Sequence, residues 1–138
     1  MIMISTKGRY ALRVMVDLAQ HQGEGYLPLK EIAKRQEISE KYLESILKGL
    51  VQSRILIGVR GKGGGYRLTR KPEAYTVAEI LLQTEGELAP VSCLESGSAP
   101  CPRREECSTF PLWERLSALI RQFFEGVTLA DLMEQKAE

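Results

Sequence analysis

Ile55-Leu56-Ile57-Gly58-Val59-Arg60-Gly61-Lys62-Gly63-Gly64-Gly65-Tyr66-Arg67-Leu68 separates one architecture from its rivals. Apolar, β-branched residues run up to Val59, a basic and glycine-rich tip follows, and an aromatic–basic–apolar triplet leads back, which predicts a β-hairpin. Five of the twelve glycines lie between Gly58 and Gly65, so the tip must bend sharply or approach another surface closely. A phosphate-binding loop fails on spacing. The nucleotide pattern needs Ser or Thr after its lysine, but Gly63 follows Lys62, and the dinucleotide pattern needs a glycine where Tyr66 stands.

The residues upstream give the hairpin its meaning. Tyr10, Ala11, Val14, Met15, Leu18 and Ala19 repeat at helical spacing and predict a helix over Thr6–Gln22, with Ser5 or Thr6 as its cap and Gly23 and Gly25 as its end. His21, the lone histidine, falls near that end as a surface residue. A short helix over Leu29–Gln36 and a turn at Glu37-Ile38-Ser39 lead to a second helix over Glu40–Gln52. Ser39 caps it, and Leu43, Ile46, Leu47 and Leu50 face inward. Two helices joined by so short a turn predict a helix-turn-helix, and a hairpin directly after it makes a winged helix. The outward face carries Glu40, Lys41, Glu44, Ser45 and Lys48; Arg60, Gly61 and Lys62 form the wing tip, placed to lie along phosphates or enter a minor groove.

Charge divides the chain in the same place. Residues 1–72 hold fourteen Lys/Arg against six Asp/Glu, a balance of +8, whereas residues 73–138 hold five against twelve, a balance of −7. The near-neutral total thus combines a front half fit for a polyanion with a back half of different purpose. The expected organisation is a winged helix-turn-helix DNA-binding region over 1–72, then a sensor loop and dimerisation helix over 73–138. The fold class is mainly α with a small β-hairpin wing.

In the back half, Thr76-Val-Ala-Glu79 predicts a capping box opening a short helix through Leu82. Leu112, Leu116, Leu119, Ile120 and Phe123 form an apolar stripe along a helix of about fifteen residues, widened by Trp113 and Phe124. The winged domain can close its own core, so this stripe is expected to be a homodimer interface. Thr128-Leu-Ala-Asp131 caps a last short helix.

All three cysteines, Cys93, Cys101 and Cys107, lie in one Gly-, Ser- and Pro-interrupted stretch that can wrap thiolates around a ligand. No apolar run approaches the roughly 18–20 residues of a membrane span, and Lys7, Arg9 and Arg13 follow the opening Met-Ile-Met-Ile too closely for a signal peptide. A cytoplasmic location is expected, where clustered thiols point to metal or redox chemistry before structural disulfides. Arg103 and Arg104 are expected to lower the pKa of Cys101 and Cys107. Structural zinc is a further option, although the stretch has no Cys-x-x-Cys pair and no histidine. A thiol enzyme would need a base beside its cysteine, and His21 lies in the other half, so catalysis is not expected.

The runs Ser5-Thr-Lys-Gly-Arg-Tyr-Ala-Leu12, Ile38-Ser-Glu-Lys-Tyr-Leu-Glu44, Val59-Arg-Gly-Lys-Gly-Gly-Gly-Tyr66, Leu112-Trp113 and Val127-Thr-Leu-Ala-Asp-Leu132 closely resemble a family of bacterial winged-helix regulators. That family includes the iron–sulfur regulator IscR, the nitric-oxide sensor NsrR and the cysteine-metabolism repressor CymR. The resemblance implies a homodimer on a near-palindromic double-stranded DNA operator, with Tyr42 and Ser45 at the groove and Arg60 in the wing. Glu44 matches an acidic position able to accept from a cytosine amino group, and Lys41 replaces a small polar residue of IscR, which implies a different preferred operator. It also implies a [2Fe–2S] or [4Fe–4S] cluster on Cys93, Cys101 and Cys107. The fourth ligand is not evident: Ser108-Thr-Phe-Pro111 holds no histidine where IscR has one, and Lys7, Gly8 and Arg9 stand where NsrR has an aspartate. The cluster-free alternative keeps the DNA binding and places a reversible thiol oxidation, or a partner enzyme of cysteine metabolism, on the same loop.

Overall fold

The computed structural model describes residues 4–95 and 101–134. The chain runs α1 (Thr6–Gln20), α2 (Leu29–Gln36), α3 (Glu40–Gln52), β1 (Leu56–Val59), β2 (Gly65–Leu68), α4 (Val77–Glu85), α5 (Phe110–Glu125) and α6 (Leu129–Met133). β1 and β2 pair antiparallel in the register Leu56↔Leu68 to Val59↔Gly65. A winged helix-turn-helix, mainly α with one hairpin, is the fold the local patterns predict.

α1 is the spine, with Ala11, Val14 and Met15 fully buried and α2, α3, α4, α6 and β2 packed around it. Ser5 is its N-cap, accepting the Gly8 N–H at 3.1 Å. The helix ends at Gln20, two residues earlier than expected, because His21 leaves helical geometry and donates its backbone N–H to Leu18. The left-handed turns at Gly23 and Gly25 then follow in the loop.

The wing is held at its base from two sides. Leu27 bridges Tyr66 by a reciprocal pair of backbone hydrogen bonds, each 2.9 Å. Tyr75, fully buried, donates its hydroxyl to the Ile55 carbonyl at 2.7 Å and accepts the N–H groups of Thr69 (2.8 Å) and Arg70 (3.2 Å). Gly65, at φ +147°, lies where a Cβ would meet the Leu27 carbonyl oxygen at 2.3 Å.

The capping box expected at Thr76 forms only by half. Thr76 accepts the Glu79 N–H at 3.1 Å, but the Glu79 carboxylate turns to Arg70 in an ion pair at 2.9 Å. Arg70 also stacks 4.2 Å over the Tyr75 ring, so one guanidinium ties the wing base to α4. The α4 helix runs on to Glu85, three residues past the expected end, and stops at Gly86 in positive φ. At Thr128 the box is complete, with bonds of 2.9 and 3.1 Å between Thr128 and Asp131.

Candidate nucleic-acid interface and cysteine loop

α3 begins where Glu37, in left-handed geometry at φ 55°, turns the chain and Ser39 accepts the Tyr42 N–H at 3.2 Å. Its inner face is buried through Leu43, Ile46, Leu47 and Leu50, so Ser39, Lys41, Glu44, Ser45 and Lys48 are left exposed and Tyr42 half-buried at the edge. A groove of about 420 Å³ separates this helix from the wing and is lined by Glu44, Lys48, Val51, Val59, Arg60 and Tyr66. The Tyr66 ring floors it at Gly58, where a Cβ would come within 3.1 Å. At the wing tip Arg60, Gly61 and Lys62 are exposed, and Gly61 and Gly63 carry φ of +89° and +79°. Of the recognition-helix and wing candidates, Glu44, Lys48 and Arg60 border this groove, whereas Ser39, Lys41, Tyr42, Ser45, Gly61 and Lys62 lie outside it.

Behind that surface lies a network the sequence reading missed. Asp17 is 2 % exposed and accepts Arg35 through both carboxylate oxygens, at 2.6 and 3.0 Å, and Gln36 at 2.8 Å. Burial pushes the Asp17 carboxyl up, but the hydrogen bonds from Arg35 and Gln36 and the guanidinium charge outweigh it and hold the pKa below the usual value. Arg13 donates to both the side-chain and the backbone oxygen of Gln36 and lies 5.0 Å over the Tyr10 ring. Tyr10 meets Tyr42 edge-on at 5.9 Å. The signal available in the sequence was a carboxylate set beside Val14 and Leu18 on a helix face otherwise turned inward.

A second unforeseen contact sits at the other end of α1. Glu85 accepts from both the backbone N–H (3.0 Å) and the hydroxyl (2.7 Å) of Ser5, joining the last turn of α4 to the cap of α1. His21, near the C-terminus of α1, is 28 % exposed, partly covered rather than free on the surface, with Nδ1 2.8 Å from the Asp17 carbonyl oxygen.

The cysteine loop leaves α4 after Gly86. Cys93 lies exposed in the short turn Ser92–Leu94, residues 96–100 fall outside the described residues, and Cys101 and Cys107 border one cleft of about 650 Å³ with Arg104, Glu106, Phe110 and Glu114. Cys107 is partly exposed, with Sγ 3.2 Å from the Thr109 hydroxyl. The Thr109 hydroxyl and backbone N–H lower its pKa most, with a smaller share from Arg103. The expected cause is thus corrected for Cys107: the residues opening α5 matter more than the arginines, and Arg104 lies 4.8 Å over the Phe110 ring instead. Among the described residues no three His, Cys, Asp or Glu side chains are gathered closely enough to hold a metal ion. The thiols supply the donor type that a cluster requires, but the described geometry gathers neither them nor a fourth ligand.

α5 divides its apolar residues between two faces. Phe124 packs on Val77, Leu81 and Val127, and Trp113 and Ile120 are half-buried. Leu112, Leu116, Leu119 and Phe123 point outward at 54, 38, 62 and 52 % exposure. Phe124 thus carries the apolar surface of α5 beyond the outer face.

Residues 4–135 match the family model Rrf2, described as an iron-dependent transcriptional regulator. The chain belongs to the Rrf2 family. The HTH-type transcriptional regulator IscR of Aliivibrio salmonicida (strain LFI1238) is 38 % identical to it over 130 residues, covering 94 % of this chain and 76 % of that protein. The solved structure of CymR, the global cysteine regulator of B. subtilis, superposes with a TM-score of 0.78 at 36 % identity over 98 % of both chains. T. potens IscR gives 0.74 at 36 % identity, covering 96 % of this chain and 86 % of that one. This Rrf2 member is a DNA-binding transcriptional regulator rather than an enzyme. Among its described residues no helix is long and apolar enough to cross a membrane.

Proposed function

We propose that this chain is a homodimeric regulator that reads a near-palindromic operator with α3 and the wing. Its DNA occupancy is set through Cys93, Cys101 and Cys107, which hold an iron–sulfur cluster, [2Fe–2S] or [4Fe–4S]. The observation that carries this reading is the position of the three thiols, on the segment between α4, whose end grips α1, and α5, whose outer face is unburied. A change there has a route to the recognition helix and to the dimer at once. The iron-dependent description of the family and the likeness to IscR support the cluster; a cluster would supply charge, redox response and a crosslink between loop segments. DNA reading then belongs to residues 1–72 and sensing and pairing to 73–138, and the partner molecule places the protein in the cytoplasm.

Ser39, Lys41, Tyr42, Glu44, Ser45 and Lys48 are assigned to the major groove and Arg60, Gly61 and Lys62 to the wing contact. The exposed stripe Leu112, Leu116, Leu119 and Phe123, with Ile120 at its edge, is assigned to a second copy of the chain. Purification without oxygen should yield a coloured protein with iron and sulfide in comparable amounts. A colourless dimer that accepts no cluster on reconstitution would remove the cluster. Duplex affinity should fall with salt, and Arg60→Ala should make that slope shallower by about 0.9; salt-independent association would count against DNA reading.

The lowered pKa of Cys107, with Cys101 on the same cleft, favours a second reading in which the loop is a thiol switch. In that case mild oxidation should remove two hydrogens from the protein by mass. The likeness to CymR also keeps open a partner enzyme of cysteine metabolism on this loop.

A further inference from the structure

α1 holds both sides of the helix-turn-helix turn. On one side Arg13 donates to the Gln36 side-chain oxygen at 3.2 Å and to the Gln36 carbonyl, at the last residue of α2. Gln36 is fixed again from beneath by its 2.8 Å bond to buried Asp17. On the other side Tyr10 meets Tyr42, two residues into α3, with ring centroids 5.9 Å apart and planes at 64°. Arg13 lies over the Tyr10 ring, so a single guanidinium touches the end of α2 and the ring that abuts the start of α3.

Between the two helices are only Glu37, in left-handed geometry, Ile38 and the cap Ser39. Past that turn α3 is anchored by Leu43, Ile46, Leu47 and Leu50, all fully buried, while its first turn meets α1 through the Tyr10–Tyr42 contact. Tyr42 itself is half-buried and packs in part against the core. An edge-to-face partner fixes ring orientation as well as distance.

We propose that Tyr10 and Arg13 are positioning residues for sequence readout: they set the angle at which α3 presents Tyr42 and Ser45 to base edges, without touching DNA themselves. This rests on the assignment of Tyr42 to the groove. Phosphate contacts add affinity for any duplex and contribute to the salt slope, whereas loss of α3 geometry removes only the sequence-specific part. That difference separates the proposal from the rival in which exposed Arg13 is simply another phosphate contact.

The probes are a duplex enriched from a random pool by the wild-type full chain and a shuffled duplex of equal length, each titrated over a range of salt. Tyr10→Ala should lose about three- to tenfold affinity for the enriched duplex, the size of one aromatic pair. Binding to the shuffled duplex and the salt slope should stay unchanged. Tyr10→Phe, which keeps the ring contact, should restore the affinity. Arg13→Met, at an exposed site where folding is not at risk, should lose the specific part in the same way. A slope shallower by about 0.9 in Arg13→Met would make it a phosphate contact and overturn its positioning role. Equal losses on both duplexes for Tyr10→Ala, or no loss, would overturn the role of Tyr10. Tyr42→Ala separates the layers: if it leaves the enriched duplex tightly bound, the groove assignment beneath the proposal fails; if it weakens binding while Tyr10→Ala does not, the proposal alone fails.

Discussion

Asp17 of α1 and Arg35 of α2 pair at 2.6 Å, with the carboxylate 2 % exposed and the guanidinium side chain 32 % exposed. The asymmetry decides what losing either partner costs. Removing Arg35 leaves a buried charge with only the Gln36 hydrogen bond and His21 Nδ1 at 3.7 Å, while removing Asp17 leaves a cation that can still reach water. Arg35→Met should therefore destabilise more than Asp17→Asn, by about 3 against about 2 kcal/mol, measured by urea unfolding at neutral pH. The Asp17 pKa is lowered in the fold, so its contribution is present above the unfolded carboxyl value of about 4 and is lost as pH falls through the lower folded value. The wild type should lose stability over that acid window, and Asp17→Asn should show a flatter dependence there.

Gly8 and Glu85 compete for one space. A Cβ on Gly8 would lie 2.2 Å from Glu85 Oε1, the atom that accepts both Ser5 donors. The obstacle is the tip of a flexible side chain, so Gly8→Ala should displace the carboxylate and cost about 1–2 kcal/mol through those hydrogen bonds. In a Glu85→Ala background the same substitution should cost nothing or stabilise, since alanine favours a helix over glycine. A double-mutant cycle that shows simple additivity would contradict this account.

The wing glycines should differ sharply. At Gly65 both the backbone angle and the Leu27 carbonyl oppose a side chain, and the obstacle is main chain. Gly65→Ala should detach β2 from Leu27, cost about 3 kcal/mol or more and abolish wing-dependent DNA binding. Gly61 and Gly63 have positive φ but open space around them, so alanine there should cost only about 1 kcal/mol each. Melting temperatures of the three variants give the order directly.

Cys107 should respond to pH below the range of an ordinary thiol. Its lowered pKa owes most to the Thr109 hydroxyl, so its alkylation should begin at lower pH than that of an ordinary cysteine. Thr109→Val should shift the Cys107 rate profile toward higher pH while leaving the α5 backbone in place. Rates followed on a chain retaining Cys107 as its sole cysteine test this; an unmoved profile would remove the hydroxyl as the cause.

The winged helix was legible because its signals are local. The spacing of Leu43, Ile46, Leu47 and Leu50, the Ser39 cap and the glycines of the tip each act within a few residues. What escaped the sequence depends on partners far apart in the chain: Asp17 with Arg35, Tyr75 with Ile55, and Ser5 with Glu85, separated by 18, 20 and 80 residues. Glu79 shows the same limit from the other side, since its local cap pattern lost to a cation on another segment. On α5 the pattern counted apolar residues correctly but could not divide them, because Phe124 finds its partners on α4 and Val127 while Phe123 faces away.

The hydroxyl of Tyr75 leaves the wing with two kinetic regimes. The Thr69 and Arg70 amides are tied to a ring at zero exposure, so their protons should exchange with solvent only when the whole domain opens. Amides across Gly61–Gly64, on an exposed turn closed by the single Gly64-to-Gly61 bond, should exchange through small local openings. The wing therefore has a root as durable as the core and a fingertip that is free to adapt. Whatever surface it meets is accommodated at the tip, and the strain of that fit stops before the root.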